Sequence, residues 1–101
     1  TRGEVLAGGN GKGVRLDQLN EPSGVIVDQE TDRLYICDRK NRRVVRWSRQ
    51  HQPHSTASNS TGDVILNNID CWGLAMDDQG ALYVSDTEKH EVRRYDKGGN
   101  R

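Results

Sequence analysis

An internal repeat limits the possible folds of this 101-residue chain more than any other feature of its sequence. Four short segments occur twice: residues 22–28 with 71–77, residues 34–38 with 82–86, residues 44–47 with 92–95, and residues 62–65 with 3–6. The first pair is 49 residues apart, and the next two pairs are 48 residues apart. The sequence is therefore built from two copies of one unit with a period near 50 residues.

Each repeated segment has the composition of a short β-strand. The segments are rich in Val, Ile, Leu and Tyr and are bounded by Gly, Asp, Asn or Pro. The predicted strands of the first unit are a (Gly24 to Asp28), b (Leu34 to Asp38), c (Val44 to Trp47) and d (Asp63 to Leu66). Their counterparts are Gly73 to Asp77, Leu82 to Asp86, Val92 to Tyr95 and Glu4 to Ala7. Four antiparallel strands in a unit of this length are typical of a β-propeller blade.

The composition favours short strands and excludes several partner classes. Only 32% of the residues are hydrophobic and there is no Phe, whereas a helical bundle or a doubly wound sheet needs longer apolar runs. The 15 basic and 15 acidic side chains cancel, so no overall field draws the chain to nucleic acid or to an anionic membrane. No apolar run is long enough for a membrane span. The sequence therefore predicts neither a nucleic-acid partner nor membrane insertion.

The first unit resembles the NHL repeat. The resemblance is carried by Leu19, Asn20, Pro22, the segments GVIVD and LYICD, Asn41, Arg43, Val44, Arg46 and Trp47. It covers nearly the whole chain, although the second unit has Lys89 and Glu91 where the motif usually has Asn and Arg. The resemblance implies an all-β propeller, commonly of six blades, so residues 1–101 are expected to be part of one NHL propeller domain.

Two four-stranded antiparallel blades are expected within this domain. Blade one is centred on residues 22–66, and blade two on residues 71–101, completed by a strand equivalent to residues 3–7. If copies followed one another, residues 96–101 and then 1–2 would form an ordinary linker between strands c and d. Two blades alone leave apolar faces and strand edges open. The expected partners therefore include further NHL blades or copies of the chain itself.

Strand direction assigns the loops to two ends of the blades. The chain reverses at each turn, so the d-to-a and b-to-c loops share one end, which we call the top. Propellers of the resembled family usually meet ligands there, and the candidate binding residues at this end are Lys12, Arg15, Arg39, Lys40, Arg42 and Trp72. The cations, with Arg43, would suit an anionic partner, but the favoured interpretation is solvated turn charges balanced by Asp17, Glu21 and Glu88.

The expected ligand at the top is a protein or a glycan. RNA recognition, which is known in some members of the resembled family, favours several aromatic side chains on the binding face and a clear excess of positive charge. Trp72 is the one aromatic residue near this end, and the net charge is zero. RNA binding is therefore kept as the weaker alternative.

Asp38 and Asp86 end strand b of each unit at the same position. A carboxylate before a tight turn accepts hydrogen bonds from the backbone amides that follow, which predicts a structural role. The alternative is a ring of carboxylates that holds a cation, as in calcium-dependent lactonases with the propeller architecture. No catalytic dyad accompanies the two residues, so we expect no catalytic residue, metal site or cofactor. A metal-dependent lyase or lactonase-like enzyme is the alternative to a scaffold.

Cysteine positions and one triplet bear on the compartment. Cys37 ends strand b of the first unit and Cys71 opens strand a of the second, so a disulfide is predicted at the top of adjacent blades; two unpaired thiols are the alternative. Asn59 begins the glycosylation triplet Asn-Ser-Thr, and Asn100 would begin a second if copies were in tandem. A disulfide with glycosylation predicts a secreted, extracellular protein.

Overall fold

The computed structural model describes residues 3–48 and 62–96, and it shows two antiparallel sheets. The first sheet contains β1 (Pro22–Asp28), β2 (Arg33–Asp38), β3 (Arg43–Ser48) and β4 (Asp63–Asn67). The second contains β5 (Cys71–Met76), β6 (Leu82–Asp86) and β7 (Glu91–Tyr95). A 3₁₀ turn, Arg39–Asn41, connects β2 to β3. No helix within these ranges is long and apolar enough to cross a membrane.

Each sheet is a meander in which consecutive strands are hydrogen-bonded neighbours, as a propeller blade requires. The strands a, b, c and d of the first unit correspond to β1 to β4, and the first three strands of the second unit correspond to β5 to β7, with ends that differ by two residues or fewer. The all-β fold and the two repeated blades predicted from the sequence are therefore present in the described residues.

The predicted strand from Glu4 to Ala7 is absent, which corrects the sequence-based expectation. A strand persists only when a neighbour supplies a hydrogen-bond ladder, and this segment should pair with a c strand. In this chain β3 is already paired with β4, and β7 lies in the other blade. Leu6 and Ala7 instead pack against a buried cluster on blade one, made of Leu34, Ile36, Val45 and Trp47.

The two blades pack face to face around one core, with β1 lying against β5. The buried members of this core are Tyr35, Cys37, Val44, Ile69, Cys71, Leu82, Val84 and Tyr95. The backbones of β1 and β5 approach each other closely at the seam. A Cβ atom on Gly24 would lie 3.3 Å from the carbonyl oxygen of Trp72, so this position requires a small residue. The Ser23 hydroxyl also donates a hydrogen bond of 3.1 Å to the Cys71 carbonyl. The seam is thus held by apolar packing, a small residue and a hydrogen bond together.

Equivalent residues of the two blades differ in burial, and the difference identifies an uncovered face. Val44 is 0% exposed because blade two covers it, whereas Val92, 48 residues further on, is 68% exposed. On the opposite side of the molecule, Val25 of β1 is 59% exposed. Each blade therefore has one apolar face packed on its neighbour and one face, at least in part, open to solvent.

At the bottom of blade two, the Asp77 carboxylate closes the turn between β5 and β6. It accepts hydrogen bonds of 2.9 Å from the backbone amides of Gln79 and Ala81 and from the Tyr83 hydroxyl. The amide of Ala81 contributes most to stabilising the charged form, followed by Tyr83, and together they lower the pKa of Asp77. This turn carboxylate is therefore held ionised by the fold around it.

Candidate functional site

The loops predicted to share the top do meet at one surface. The Lys40 amide donates to the Asn20 carbonyl at 3.1 Å, which joins the b-to-c turn of blade one to the long loop before β1. The Ile69 amide donates to the Arg42 carbonyl at 3.2 Å, and the Thr87 amide donates to the Asp70 carbonyl at 3.0 Å. We call residues 8–21, 39–42, 68–70, 72 and 87–90 the top surface. It is one continuous surface that spans both blades.

A buried ion pair supports the top surface from below. Arg43 and Asp38 are directly paired residues of β3 and β2, both are buried, and their Nε and Oδ2 atoms lie 2.7 Å apart. The other guanidinium nitrogens of Arg43 donate to the carbonyls of Val14, Arg15 and Gln18 at 2.9 to 3.1 Å. Arg43 is therefore a support for the long loop and is not available to an anionic ligand.

The Asp38 carboxylate is occupied by the same network. Its Oδ1 accepts a hydrogen bond of 2.7 Å from the Asn20 amide, and its Oδ2 accepts one of 2.9 Å from the Asn41 side chain. Asn41 also donates to the Gly13 carbonyl at 2.7 Å. Asp38, Asn41 and Arg43 thus tie the long loop to the end of β2, using donors from that loop and from side chains rather than the amides that follow Asp38.

Blade two builds the equivalent corner differently. Asp86 accepts hydrogen bonds from the following backbone amides of Glu88 and Lys89, at 3.1 and 3.3 Å. Glu91 lies opposite Asp86 in the ladder, where blade one has Arg43. The loop before β5 is only three residues long in blade two, between Asn67 and Cys71, so blade two has no counterpart of the long loop whose carbonyls Arg43 holds in blade one. Lys89 and Glu91, which replace the Asn and Arg of the NHL motif, therefore occur in the blade whose preceding loop is short.

The arginines of the predicted basic cluster are each paired with a carboxylate. The Nε atom of Arg15 lies 3.1 Å from Oδ1 of Asp17, and the Nε atom of Arg39 lies 3.8 Å from Oδ1 of Asp70. The Nη2 atom of Arg42 lies 2.7 Å from Oε1 of Glu88. The hydrogen bond to Glu88 also raises the pKa of Arg42. Within residues 3–48 and 62–96, no carboxylate forms an ion pair with Lys12 or Lys40. The arginines of the top surface are therefore paired with neighbouring carboxylates, and the surface is mixed in charge.

Trp72 is the aromatic residue of the top surface. It follows Cys71 in β5 and is 56% exposed, and the guanidinium carbon of Arg39 lies 5.1 Å from its ring centroid. This distance is within the range of a cation–π interaction. The equivalent residue of blade one is Ser23, so the repeat does not require an aromatic residue there. Arg39 and Trp72 come from different blades and meet across the seam.

The remaining predicted sites divide between described and undescribed residues. Cys37 and Cys71 are joined in a disulfide with a Cα separation of 5.4 Å, and both are fully buried. Asn59 and Asn100 lie outside the described residues, so glycosylation stays a prediction. Among residues 3–48 and 62–96, no group of three His, Cys, Asp or Glu side chains is placed to hold a metal ion.

Sequence reasoning missed three parts of this site. It counted Arg43 among the surface cations, although its place opposite Asp38 at a strand end was a sign of a buried pair. It did not assign Asp70 as the partner of Arg39, because that contact joins two blades and has no local sequence pattern. The contact between Arg39 and Trp72 also crosses the seam, which explains why spacing alone did not predict it.

Part of the chain matches the model of a known protein family. The family model of the NHL repeat matches residues 69–95, which run from just before β5 to the end of β7. The match falls on the blade that carries Lys89 and Glu91, the unit described above as the more divergent. No curated protein matches the chain. NHL repeats form β-propeller blades, which agrees with the two antiparallel sheets described here. Such repeats generally mediate protein interactions.

Proposed function

We propose that this chain, which is an NHL-repeat protein with the fold of two β-propeller blades, is an interaction scaffold that binds a partner protein on its top surface. The observation that carries the proposal is the exposed Trp72 beside Arg39 at the seam. Trp and Arg are the residue types most often found at the energetic centres of protein interfaces. Because the equivalent position of blade one holds Ser23, building the fold does not account for this tryptophan.

A protein partner suits this surface better than a glycan or RNA. The Arg39 guanidinium lies over one face of the Trp72 ring, so that face is not free to stack on a sugar or a base. The ion pairs of Arg39 and Arg42 with Asp70 and Glu88 leave the surface mixed in charge. An aromatic residue is typical of the centre of a protein interface, and polar or charged residues are typical of its rim.

Binding rather than catalysis is proposed because the recurrent carboxylates, Asp38 and Asp86, form hydrogen bonds that stabilise the fold. Both oxygens of Asp38 accept hydrogen bonds from Asn20, Asn41 and Arg43, and Asp86 accepts two from the turn that follows it. These bonds account for the recurrence of the two residues without a cation or a substrate. The proposal therefore gives them no catalytic role.

Loss of the partner is the expected result of the substitution Trp72→Ala. If the side chain is the anchor of the interface, its truncation should lower the amount of captured partner about tenfold or more. The measurement is affinity capture from the native fluid or tissue, with quantitative mass spectrometry. The matched control is Gln79→Ala, an exposed residue of the bottom turn. Equal recovery of every protein by the two variants would contradict the proposed surface, provided that their melting temperatures agree.

An extracellular location is part of the proposal. It is supported by the buried disulfide, since such bonds persist in oxidising compartments. The triplet that begins at Asn59 should then carry a glycan in the native host. We expect the peptide containing Asn59 to change mass after enzymatic removal of N-glycans from native material. An unmodified Asn59 together with free Cys37 and Cys71 thiols in the same material would contradict an extracellular location.

A further inference from the structure

We propose that the open edge of β7 is a docking site for residues 3–7 of a second copy of this chain, which complete blade two as its fourth strand. This proposal does not depend on the partner of the top surface. It concerns the outer edge of blade two, whereas Trp72 and Arg39 lie at the seam between the blades.

The two blades have unequal numbers of strands within residues 3–48 and 62–96. In blade one, β3 is paired on one side with β2 and on the other with β4. In blade two, β7 is paired with β6, and no described strand lies along its other edge. That edge presents a row of backbone groups that a further strand can satisfy. Among residues 62–96, blade two thus has no counterpart of β4.

Residues 3–7 resemble β4, the strand that has no described counterpart in blade two, both in sequence and in position. Gly3 to Ala7 reads GEVLA, and Gly62 to Leu66, which includes most of β4, reads GDVIL. Leu6 and Ala7 pack on a cluster that contains Leu34, Ile36 and Trp47. Their equivalents Ile65 and Leu66 pack on a cluster that contains the matching residues Leu82, Val84 and Tyr95. Leu6 and Ala7 therefore pack on blade one through positions equivalent to those by which Ile65 and Leu66 pack into the core between the blades.

The repeat also fixes the register of the proposed pairing. In blade one, Val44 pairs with Leu66 and Arg46 with Asp63, and the register shifts between Val44 and Val45 so that Ile65 is an extra residue. Transferred to β7, this register places Val92 opposite Ala7 of the second copy and Arg94 opposite Glu4 of the second copy. Leu6 becomes the extra residue. A single register is expected because a shift of one residue would turn every side chain to the other face.

Charge complementarity supports this register. In blade one the pair of Arg46 and Asp63 forms an ion pair of 3.5 Å. The same register places the positive Arg94 opposite the negative Glu4, so the sign of the cross-strand pair is kept. Arg94 now lies 2.9 Å from Asp96 in an exposed ion pair, and exposed pairs of this kind are weak enough to exchange.

The apolar faces that would meet are those left open in the single chain. Val92 lies on the outer face of blade two, where its equivalent Val44 is fully buried by a neighbouring blade. Val5, Val25 and Val27 are the exposed apolar side chains of the segment and strand on the outer face of blade one. Docking residues 3–7 on β7 brings blade one of the second copy against blade two of the first. The two open faces thereby cover each other.

Self-association of the whole chain tests the proposal. Sedimentation velocity over a range of concentrations should show species heavier than the 11.4 kDa single chain. Val92→Lys should weaken the association about tenfold or more, since it places a charge in the new interface and edge lysines block strand pairing. Gln79→Lys, at the bottom of the same blade, is the control and should associate like the unchanged chain. The melting temperature of each variant's monomer checks that folding is unaffected.

The register is tested by cross-linking between copies. A tagged Ala7→Cys chain mixed with an untagged Val92→Cys chain should give a mixed disulfide dimer under mild oxidation, because these residues are opposite one another. Replacing the second partner with Gln79→Cys should give at least tenfold less of the mixed product. A chain that stays monomeric at all concentrations would overturn the proposal, as would equal association of Val92→Lys or equal cross-linking to Gln79→Cys.

Discussion

The substitution Arg43→Met is expected to lower the free energy of unfolding by about 3 to 5 kcal/mol, since it removes one partner of a buried ion pair. Asp38 is fully buried, and without Arg43 its carboxylate keeps only the hydrogen bonds from Asn20 and Asn41. The carbonyls of Val14 and two other loop residues lose their donor as well. Chemical denaturation followed by tryptophan fluorescence measures the loss.

Arg42→Met is the matched control for this prediction. Arg42 also forms an ion pair of 2.7 Å, but its side chain is 40% exposed and that of Glu88 is 54% exposed. Arg42→Met should therefore cost much less stability than Arg43→Met, because water solvates both charges when an exposed pair is broken. Equal losses for the two variants would show that the buried network does not support the long loop.

Replacing both cysteines, as Cys37→Ala with Cys71→Ala, is expected to cost about 3 to 4 kcal/mol of stability. The bond spans 34 residues of sequence and joins the two blades at the seam, so its loss gives the unfolded chain more freedom. Both residues are also fully buried, and smaller side chains leave space in the core. Equilibrium denaturation of both chains, each prepared without reductant, measures the difference.

A reductant provides the control for the disulfide prediction. Adding it during denaturation should lower the stability of the unchanged chain towards that of the double variant, and should leave the double variant itself unaffected. A difference of less than about 1 kcal/mol between the two chains would contradict a role for this bond in holding the blades together.

The sheets could be predicted from the sequence because strands and turns are local. The runs LYICD and LYVSD lie between turn residues, and their recurrence 48 residues apart indicated one blade repeated. The strand predicted from Glu4 to Ala7 does not form, because a strand needs a neighbouring strand for its hydrogen bonds. In this chain β3 is already paired on both sides, and β7 lies in the other blade. Sequence pattern alone does not show which edges are occupied.

The top surface was predicted in its location but not in its electrostatics. Strand direction correctly placed Arg39, Arg42 and Trp72 at one end of the blades. Their partners Asp70 and Glu88 come from the other blade, so the neutralisation of the cluster depends on how the blades pack. Arg43 belonged to the same count of charges, yet burial beside Asp38 makes it part of the core.

The disulfide between the blades also determines how the molecule would respond to mechanical tension. A force applied to the two ends of the chain passes from residue 37 directly to residue 71 through the covalent bond. The strands β3 and β4 lie between these residues and therefore carry no load. At about 3.5 Å per extended residue, the 34 residues of separation hide roughly 120 Å of contour length until the bond is reduced. Reduction would therefore lengthen the stretched chain as well as weaken the fold.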